Sequence, residues 1–144
     1  MANKLFVRRR DGRIEVRLND LGRGIVREMC ARVLAAESDV DHEWHLSLRP
    51  PIDPSRDDDD PLVALARESE MQSNAELVLV SLNEQFLSDA EGWAWLCTLQ
   101  VALRAMAVAH GLLSDEKLDE ASPELLEEIR TLQHFLFDLA ACFS

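Results

Sequence analysis

The stretch that decides the fold spans residues 88–111 and reads Ser-Asp-Ala-Glu-Gly-Trp-Ala-Trp-Leu-Cys-Thr-Leu-Gln-Val-Ala-Leu-Arg-Ala-Met-Ala-Val-Ala-His-Gly. Ser88 and Glu91 have the spacing of a capping box, and Gly111 can adopt the left-handed conformation that ends a helix. The helix between them is about 33 Å long at about 1.5 Å per residue. A helix that is apolar nearly all round is buried, so we predict that this segment is the central helix of a small helical bundle.

Large apolar side chains share one face of this helix: Trp95, Leu96, Leu99, Leu103 and Met106. Small side chains form a second face that allows another helix to approach closely: Ala94, Thr98, Ala102, Ala105 and Ala109. The strongly polar Gln100 and Arg104 lie on a third stripe. A charge near the middle of the helix argues against a membrane span. A guanidinium in a largely apolar helix needs a carboxylate, so we expect a structural ion pair between Arg104 and Asp138 or a glutamate rather than an anion-binding site.

The length and composition predict one globular domain, 1–144, since 144 residues can bury a self-sufficient core and 47% of them are hydrophobic. Four segments are expected within it: a β-hairpin at 4–18, a helix at 19–36, an irregular acidic loop at 37–60 and a helical core at 61–144. The first ten residues lack an apolar run of signal-peptide length, which predicts a cytoplasmic protein. The scattered Cys30, Cys97 and Cys142 are expected to be inert core thiols.

The hairpin prediction rests on Asp11-Gly12, a favoured two-residue turn between two alternating segments. This turn predicts three opposed pairs: Val7 with Val16, Leu5 with Leu18, and Arg9 with Ile14. One face is then apolar and packs on the helices: Leu5, Val7, Ile14, Val16 and Leu18. The other face carries Arg8, Arg10, Arg13 and Arg17, together with Phe6 and Glu15, and Arg8 stands opposite Glu15. We expect these arginines to bind a partner or to pack on the acidic body of the chain.

Periodicity and capping residues predict the remaining helices. Asn19 or Asp20 begins the first of them, with apolar residues at helical spacing: Leu21, Ile25, Val26, Met29, Cys30, Val33 and Leu34. Two further helices are expected to start at Pro61 and near Ser73, although the apolar run 77–80 could also be a buried strand. Together with the 88–111 helix and a last helix capped by Ser122, the chain has about five helices. The last helix carries a seam that packs on the central helix or, alternatively, on a second copy of the chain: Leu125, Ile129, Leu132, Leu136, Leu139 and Phe143.

Three blocks of the chain, together with the hairpin Val7–Val16, carry a resemblance to a known family. The blocks are Asp60-Pro61-Leu62, Trp93–Gly111 and Leu132–Leu136. They resemble a family of small actinobacterial proteins known as a domain of unknown function, typically encoded beside the adaptor of the Clp protease. The resemblance implies a regulatory link to Clp-type proteolysis, and some members of the family are labelled transcriptional regulators. It implies no catalytic residues.

Charge and short motifs separate the function classes. Residues 1–32 carry a net charge of +5 although the whole chain carries −12, which indicates a basic head on an acidic body. A divalent metal could be held by His42 and His45 with Asp41, but a solvated polar loop is the favoured interpretation. The run Asp57–Asp60 is expected to cap a helix rather than to hold a cation.

No nucleophile–base pair or phosphate loop is visible in the sequence. We therefore predict a non-enzymatic interaction protein without cofactors that binds a protein partner and could form a homodimer. A DNA-binding regulator that uses the arginine-rich hairpin is the alternative, although nucleic acid is disfavoured because the pI is about 4.6. A metal-binding protein or an enzyme is the third possibility.

Overall fold

The computed structural model describes residues 4–45, 61–111 and 121–144, with the backbone alone described for 61–69. Seven elements follow one another in these ranges: β1 Phe6–Arg8, β2 Ile14–Val16, α1 Asp20–Ser38, α2 Pro61–Ser81, β3 Phe86–Leu87, α3 Asp89–Ala109 and α4 Pro123–Ala141. The chain is mainly helical with an N-terminal antiparallel strand pair, as predicted.

The described ranges contain four helices where about five were expected. The two helices predicted after Pro61 are one continuous helix, α2, which also excludes a strand at 77–80. No glycine or proline interrupts residues 62–81, and Ser73 lies inside the helix rather than capping a new one.

The capping predictions for α1, α3 and α4 are confirmed. Asn19 and Ser122 each accept a hydrogen bond from the backbone N–H three residues further on. Ser88 and Glu91 form the reciprocal capping box, with N···O distances of 3.2 and 2.8 Å. Gly111 has a left-handed φ of 64°, just after the end of α3. These caps satisfy backbone groups that have no partner within their own helices.

The predicted register of the hairpin is wrong by one residue. The observed pairs are Phe6 with Val16, Val7 with Glu15, and Arg8 with Ile14. The connection is a three-residue loop: the Gly12 N–H donates to the Arg9 carbonyl at 3.1 Å, and the Arg9 N–H donates to the Arg13 carbonyl at 2.8 Å. Gly12 takes a φ of 94°, as such a loop requires.

This shift changes which residues of β1 face the core. Phe6 is buried and packs edge-on against Trp95 and Phe135, with ring centroids 6.0 and 6.5 Å away. Leu5 and Val7, which were expected to be buried, are only partly covered. In a strand, a one-residue slip exchanges the two faces. The sheet also gains β3, which pairs antiparallel with β2 and gives the order β1-β2-β3.

Helix α3 packs against α1, α2 and α4. The predicted core residues Trp95, Leu99 and Met106 are at most 1% exposed, whereas Leu103 is partly covered. The helix is not buried all round, because one stripe reaches solvent: Trp93, Gln100, Arg104 and Val108. The seam of α4 is covered within the chain, with Leu132 and Leu139 fully buried, and α4 contacts α3. The prediction that the seam packs on the central helix of the same chain is thus confirmed.

Helix α3 is also the one helix in the described residues that is long and apolar enough to cross a membrane. Its mean hydropathy over 18 residues is 1.2, and 44% of that window is buried inside the protein. The core helix of a soluble protein passes the same test, so length and composition do not distinguish the two.

Candidate interaction surface

One face of the three-stranded sheet points away from the buried Phe6, Ile14 and Val16. We call it the outer sheet face, and it consists of Val7, Arg9, Arg13, Glu15, Arg17 and Phe86. Val7, Glu15 and Phe86 lie side by side across the three strands. Arginines therefore flank a row whose centre is a carboxylate.

The central carboxylate is shared by two arginines. Arg9 Nη1 lies 3.3 Å from Glu15 Oε2, and Arg17 Nη2 and Nε lie 3.2 and 3.4 Å from the same oxygen. The side chains of Arg9 and Arg17 remain 49% and 45% exposed, and that of Glu15 is 19% exposed. One negative charge thus faces two positive charges at the solvent boundary.

Arg13 has its own carboxylate. Its Nε and Nη2 donate to Asp11 Oδ2 at 2.9 and 2.7 Å, and its guanidinium lies 4.1 Å from the centre of the Phe86 ring. These hydrogen bonds from Arg13, together with its backbone N–H, hold the pKa of the exposed Asp11 below its usual value. Arg10, at the hairpin turn, is exposed and forms no ion pair with any described residue.

Arg8 does not share this surface, contrary to the prediction. The corrected register places it opposite Ile14, on the inner side of the hairpin, and not opposite Glu15. Its Nε donates to the Cys142 carbonyl at 3.0 Å, and its Nη1 contacts Asp89 and the Gly12 carbonyl. Arg8 therefore fastens the sheet to the start of α3 and the end of α4.

A second attachment joins the hairpin to α4. The Leu5 N–H donates to Asp138 Oδ2 at 2.8 Å, and Asp138 is only 7% exposed. His134 Nε2 lies 3.4 Å from the same oxygen. Asp138 was considered as a partner of Arg104, but Arg104 is exposed and pairs with no carboxylate in the described part of the chain.

The proposed metal ligands do not converge. His42 Nδ1 accepts the Trp44 N–H at 3.1 Å, and the His45 Nδ1 N–H donates to the Ala36 carbonyl at 2.6 Å. Across the described ranges, no group of three or more His, Cys, Asp or Glu side chains is placed to hold a metal ion, and Asp41 belongs to no such group. The segment is not a purely solvated loop, because Trp44 is fully buried. Asp57–Asp60 lie outside the described residues.

The three cysteines are free thiols, not disulfides. Cys30 is buried, its Sγ–H donates to the Ala75 carbonyl at 2.9 Å, and burial raises its pKa to about 11. Burial also raises the pKa of Cys97 and Cys142. A raised pKa lowers the thiolate fraction, which is the nucleophilic form.

The sequence pattern missed Arg9 and Phe86 as members of the outer sheet face. Arg9 could have been found had the turn been read as a three-residue loop, since that register moves it to the face of Arg13 and Arg17. Phe86 carried no signal, because β3 is only two residues long.

Comparison of the chain with protein-family models, curated proteins and solved structures found no match.

Proposed function

We propose that this protein is a non-enzymatic, cytoplasmic interaction protein that binds an acidic segment of another protein through the outer sheet face. In this proposal the helices form a bundle that serves as a rigid support for the sheet. The observation that carries the proposal is the excess of positive charge on this surface and on the hairpin turn beside it. Four exposed arginines, Arg9, Arg10, Arg13 and Arg17, face two carboxylates, Asp11 and Glu15.

The way in which the sheet is attached supports this function. Phe6 anchors the inner face in the core, and Arg8 and Asp138 tie the hairpin to α3 and α4. A surface held in one conformation loses less entropy on binding than a mobile one does. The sheet would therefore present its arginines with little cost of ordering.

The charge of the whole chain favours a protein partner over nucleic acid. The net charge is −12, so a long polyanion is repelled by the molecule beyond its contact with the sheet. A short acidic segment meets only the local positive charge. The resemblance noted above makes the Clp adaptor and protease subunits the first partners to test.

The test is capture of purified adaptor and protease subunits by the immobilised protein at low salt, with Arg10→Glu and Arg27→Glu compared. Both arginines are exposed, but Arg10 lies at the hairpin turn beside the outer sheet face, whereas Arg27 lies on α1. We expect Arg10→Glu to reduce capture at least tenfold and Arg27→Glu to change it less than twofold, because only the former places a like charge beside the acidic segment.

Equal effects of the two variants, or no capture of any subunit by the unaltered protein, would contradict this assignment. A gel shift with genomic fragments that Arg10→Glu abolishes, without any protein capture, would instead establish the DNA-binding alternative. Metal analysis of the purified protein tests the third possibility.

A further inference from the structure

We infer that Arg9 and Arg17 together form a binding site for one carboxylate of the acidic segment, and that Glu15 occupies this site in the free protein. The inference rests on the proposed function and specifies the contact through which it operates. Glu15 is then an internal competitor whose displacement accompanies binding.

The geometry of the three side chains is the first argument. Every contact from the two guanidinium groups ends on one oxygen, Glu15 Oε2. Their distances of 3.2–3.4 Å are longer than those of a charge-assisted hydrogen bond, which are about 2.7–2.9 Å. An arginine binds a carboxylate best through two parallel hydrogen bonds to its two oxygens, and Arg17 does not make that arrangement with Glu15.

Charge is the second argument. Two guanidinium groups share one carboxylate, so one positive charge stays uncompensated within the cluster. Both arginines reach the same oxygen, which places their nitrogens within two hydrogen-bond lengths of each other. A second carboxylate between them would offer each guanidinium its own oxygen.

Access and cost are the third argument. Arg9 and Arg17 are about half exposed, so an incoming side chain can reach them, whereas Glu15 is mostly covered. An ion pair at the solvent boundary contributes little to stability, so a partner can replace Glu15 at small cost. Arg13 differs, because its Nε and Nη2 already donate to Asp11 Oδ2 at 2.9 and 2.7 Å, which are the distances of charge-assisted hydrogen bonds.

The experiment measures binding of a fluorescein-labelled hexaglutamate peptide by fluorescence anisotropy at low salt. Glu15→Gln and Glu76→Gln change the net charge equally, but only the former releases Arg9 and Arg17, since Glu76 is exposed on α2 outside the outer sheet face. We expect Glu15→Gln to bind the peptide two- to fivefold more tightly than the unaltered protein, as loss of an ion pair at the solvent boundary implies, and Glu76→Gln to bind it less than 1.5-fold more tightly. Adding Arg9→Ala and Arg17→Ala to Glu15→Gln is expected to abolish the gain.

Equal gains for Glu15→Gln and Glu76→Gln would overturn the site, since net charge alone would then explain the affinity. If a variant misfolds, the inference can still be tested by NMR on the unaltered protein. The NMR signal of the Arg17 Nε–H should shift on peptide addition, and that of Arg23, whose Nη1 donates to backbone carbonyls, should not. An unchanged Arg17 signal at saturating peptide overturns the inference.

Three outcomes distinguish a failure of this inference from a failure of the proposed function. Capture of a protein partner that depends on Arg10 but is unaffected by Glu15→Gln removes the carboxylate site and leaves the proposed function intact. Absence of peptide binding and of partner capture removes both. Tighter binding of a 20-base-pair DNA duplex by Glu15→Gln, with no gain for the peptide, assigns the site to phosphate and overturns the acidic-segment proposal.

Discussion

The contact between Trp95 and Ser81 illustrates how a single polar atom is accommodated in the core. Trp95 is fully buried, and its Nε1–H donates to Ser81 Oγ at 2.9 Å. The Ser81 hydroxyl in turn donates to the Leu77 carbonyl at 2.7 Å. Burial of an indole N–H without an acceptor costs about 1–3 kcal/mol, so Ser81 determines whether this tryptophan can be buried.

Ser81→Ala is therefore expected to lower the free energy of unfolding by about 1–3 kcal/mol, because Trp95 loses its acceptor. Urea denaturation followed by tryptophan fluorescence measures this change. Ser38→Ala is the matched control: Ser38 is also the last residue of its helix and also donates to a preceding carbonyl, but it is exposed. The control should change stability by less than about 0.5 kcal/mol, and equal losses in the two variants would contradict the argument.

At the residue scale, the limit of sequence prediction is clearest in the hairpin turn. Glycine with a positive φ suits both a two-residue and a three-residue loop, so Gly12 does not distinguish their registers. The choice is explained by tertiary packing, since the observed register places Phe6 between Trp95 and Phe135. The observed register places Arg9 on the outer sheet face and Arg8 on the opposite face.

At the element scale, the sheet, α3 and the C-terminal residues meet at Gly92. A Cβ atom at this position would lie 2.5 Å from Ile14 Cδ1 and 3.2 Å from Phe143 Cζ. Ile14 is fully buried in β2, and Phe143 also packs edge-on against Trp93. The close approach of α3 to the sheet thus depends on a missing side chain.

Gly92→Ala is expected to lower the free energy of unfolding by about 1–2 kcal/mol, because the methyl group forces Ile14 into a filled core. Gly24→Ala provides the control: Gly24 also lies in the early turns of a helix, but no atom comes within 4 Å of its added Cβ. Since alanine has a higher helix propensity than glycine, the free energy of unfolding of Gly24→Ala should be about 0.5–1 kcal/mol higher than that of the unaltered protein. Thermal unfolding of the two proteins gives the comparison, and stabilisation of both would show that the space at Gly92 is not needed.

The elements differ in how far the sequence predicts them. Helices α1, α3 and α4 begin at caps whose side chains bond the backbone three residues on, so a local pattern is sufficient. The two residues of β3 form a strand only because β2 is beside them, and no local pattern shows this. The break expected within α2 was likewise a boundary inferred from a local pattern, and the helix continues through it.

At the scale of the whole molecule, the basic head and the acidic body are partly self-complementary. Arg8 pairs with Asp89, and Arg32 pairs with Glu128 in α4 as well as with Glu28 in its own helix. The uneven distribution of charge was visible in the sequence. Which arginines form internal ion pairs and which stay free was not, because this depends on the hairpin register and on how the helices pack. The positive charge that remains on the outer sheet face is the part available to a partner.

The titration of the whole chain in alkali offers a test of its core. The protein has no tyrosine and only two lysines, so cysteines are prominent among the groups that ionise between pH 9 and 11. Burial raises the pKa of Cys30 from 9.0 to about 11, because the folded protein disfavours its thiolate. The unfolded chain loses this proton first, so the contribution of Cys30 to stability is complete below pH 9 and is lost as the pH rises towards 11.

We therefore expect the free energy of unfolding to fall more steeply between pH 8.5 and 10.5 in the unaltered protein than in Cys30→Ala, with urea denaturation at each pH as the measurement. The variant is expected to be less stable at pH 8.5, since it leaves a small cavity, and the difference between the two proteins should shrink as the pH rises. The test compares the slopes of the free energy of unfolding against pH in the two proteins. Because all other titrating groups are common to both, a difference in slope reports the ionisation of Cys30. Parallel curves would mean that Cys30 ionises alike in the folded and unfolded chains, and that the interface between α1 and α2 is open to water at this residue.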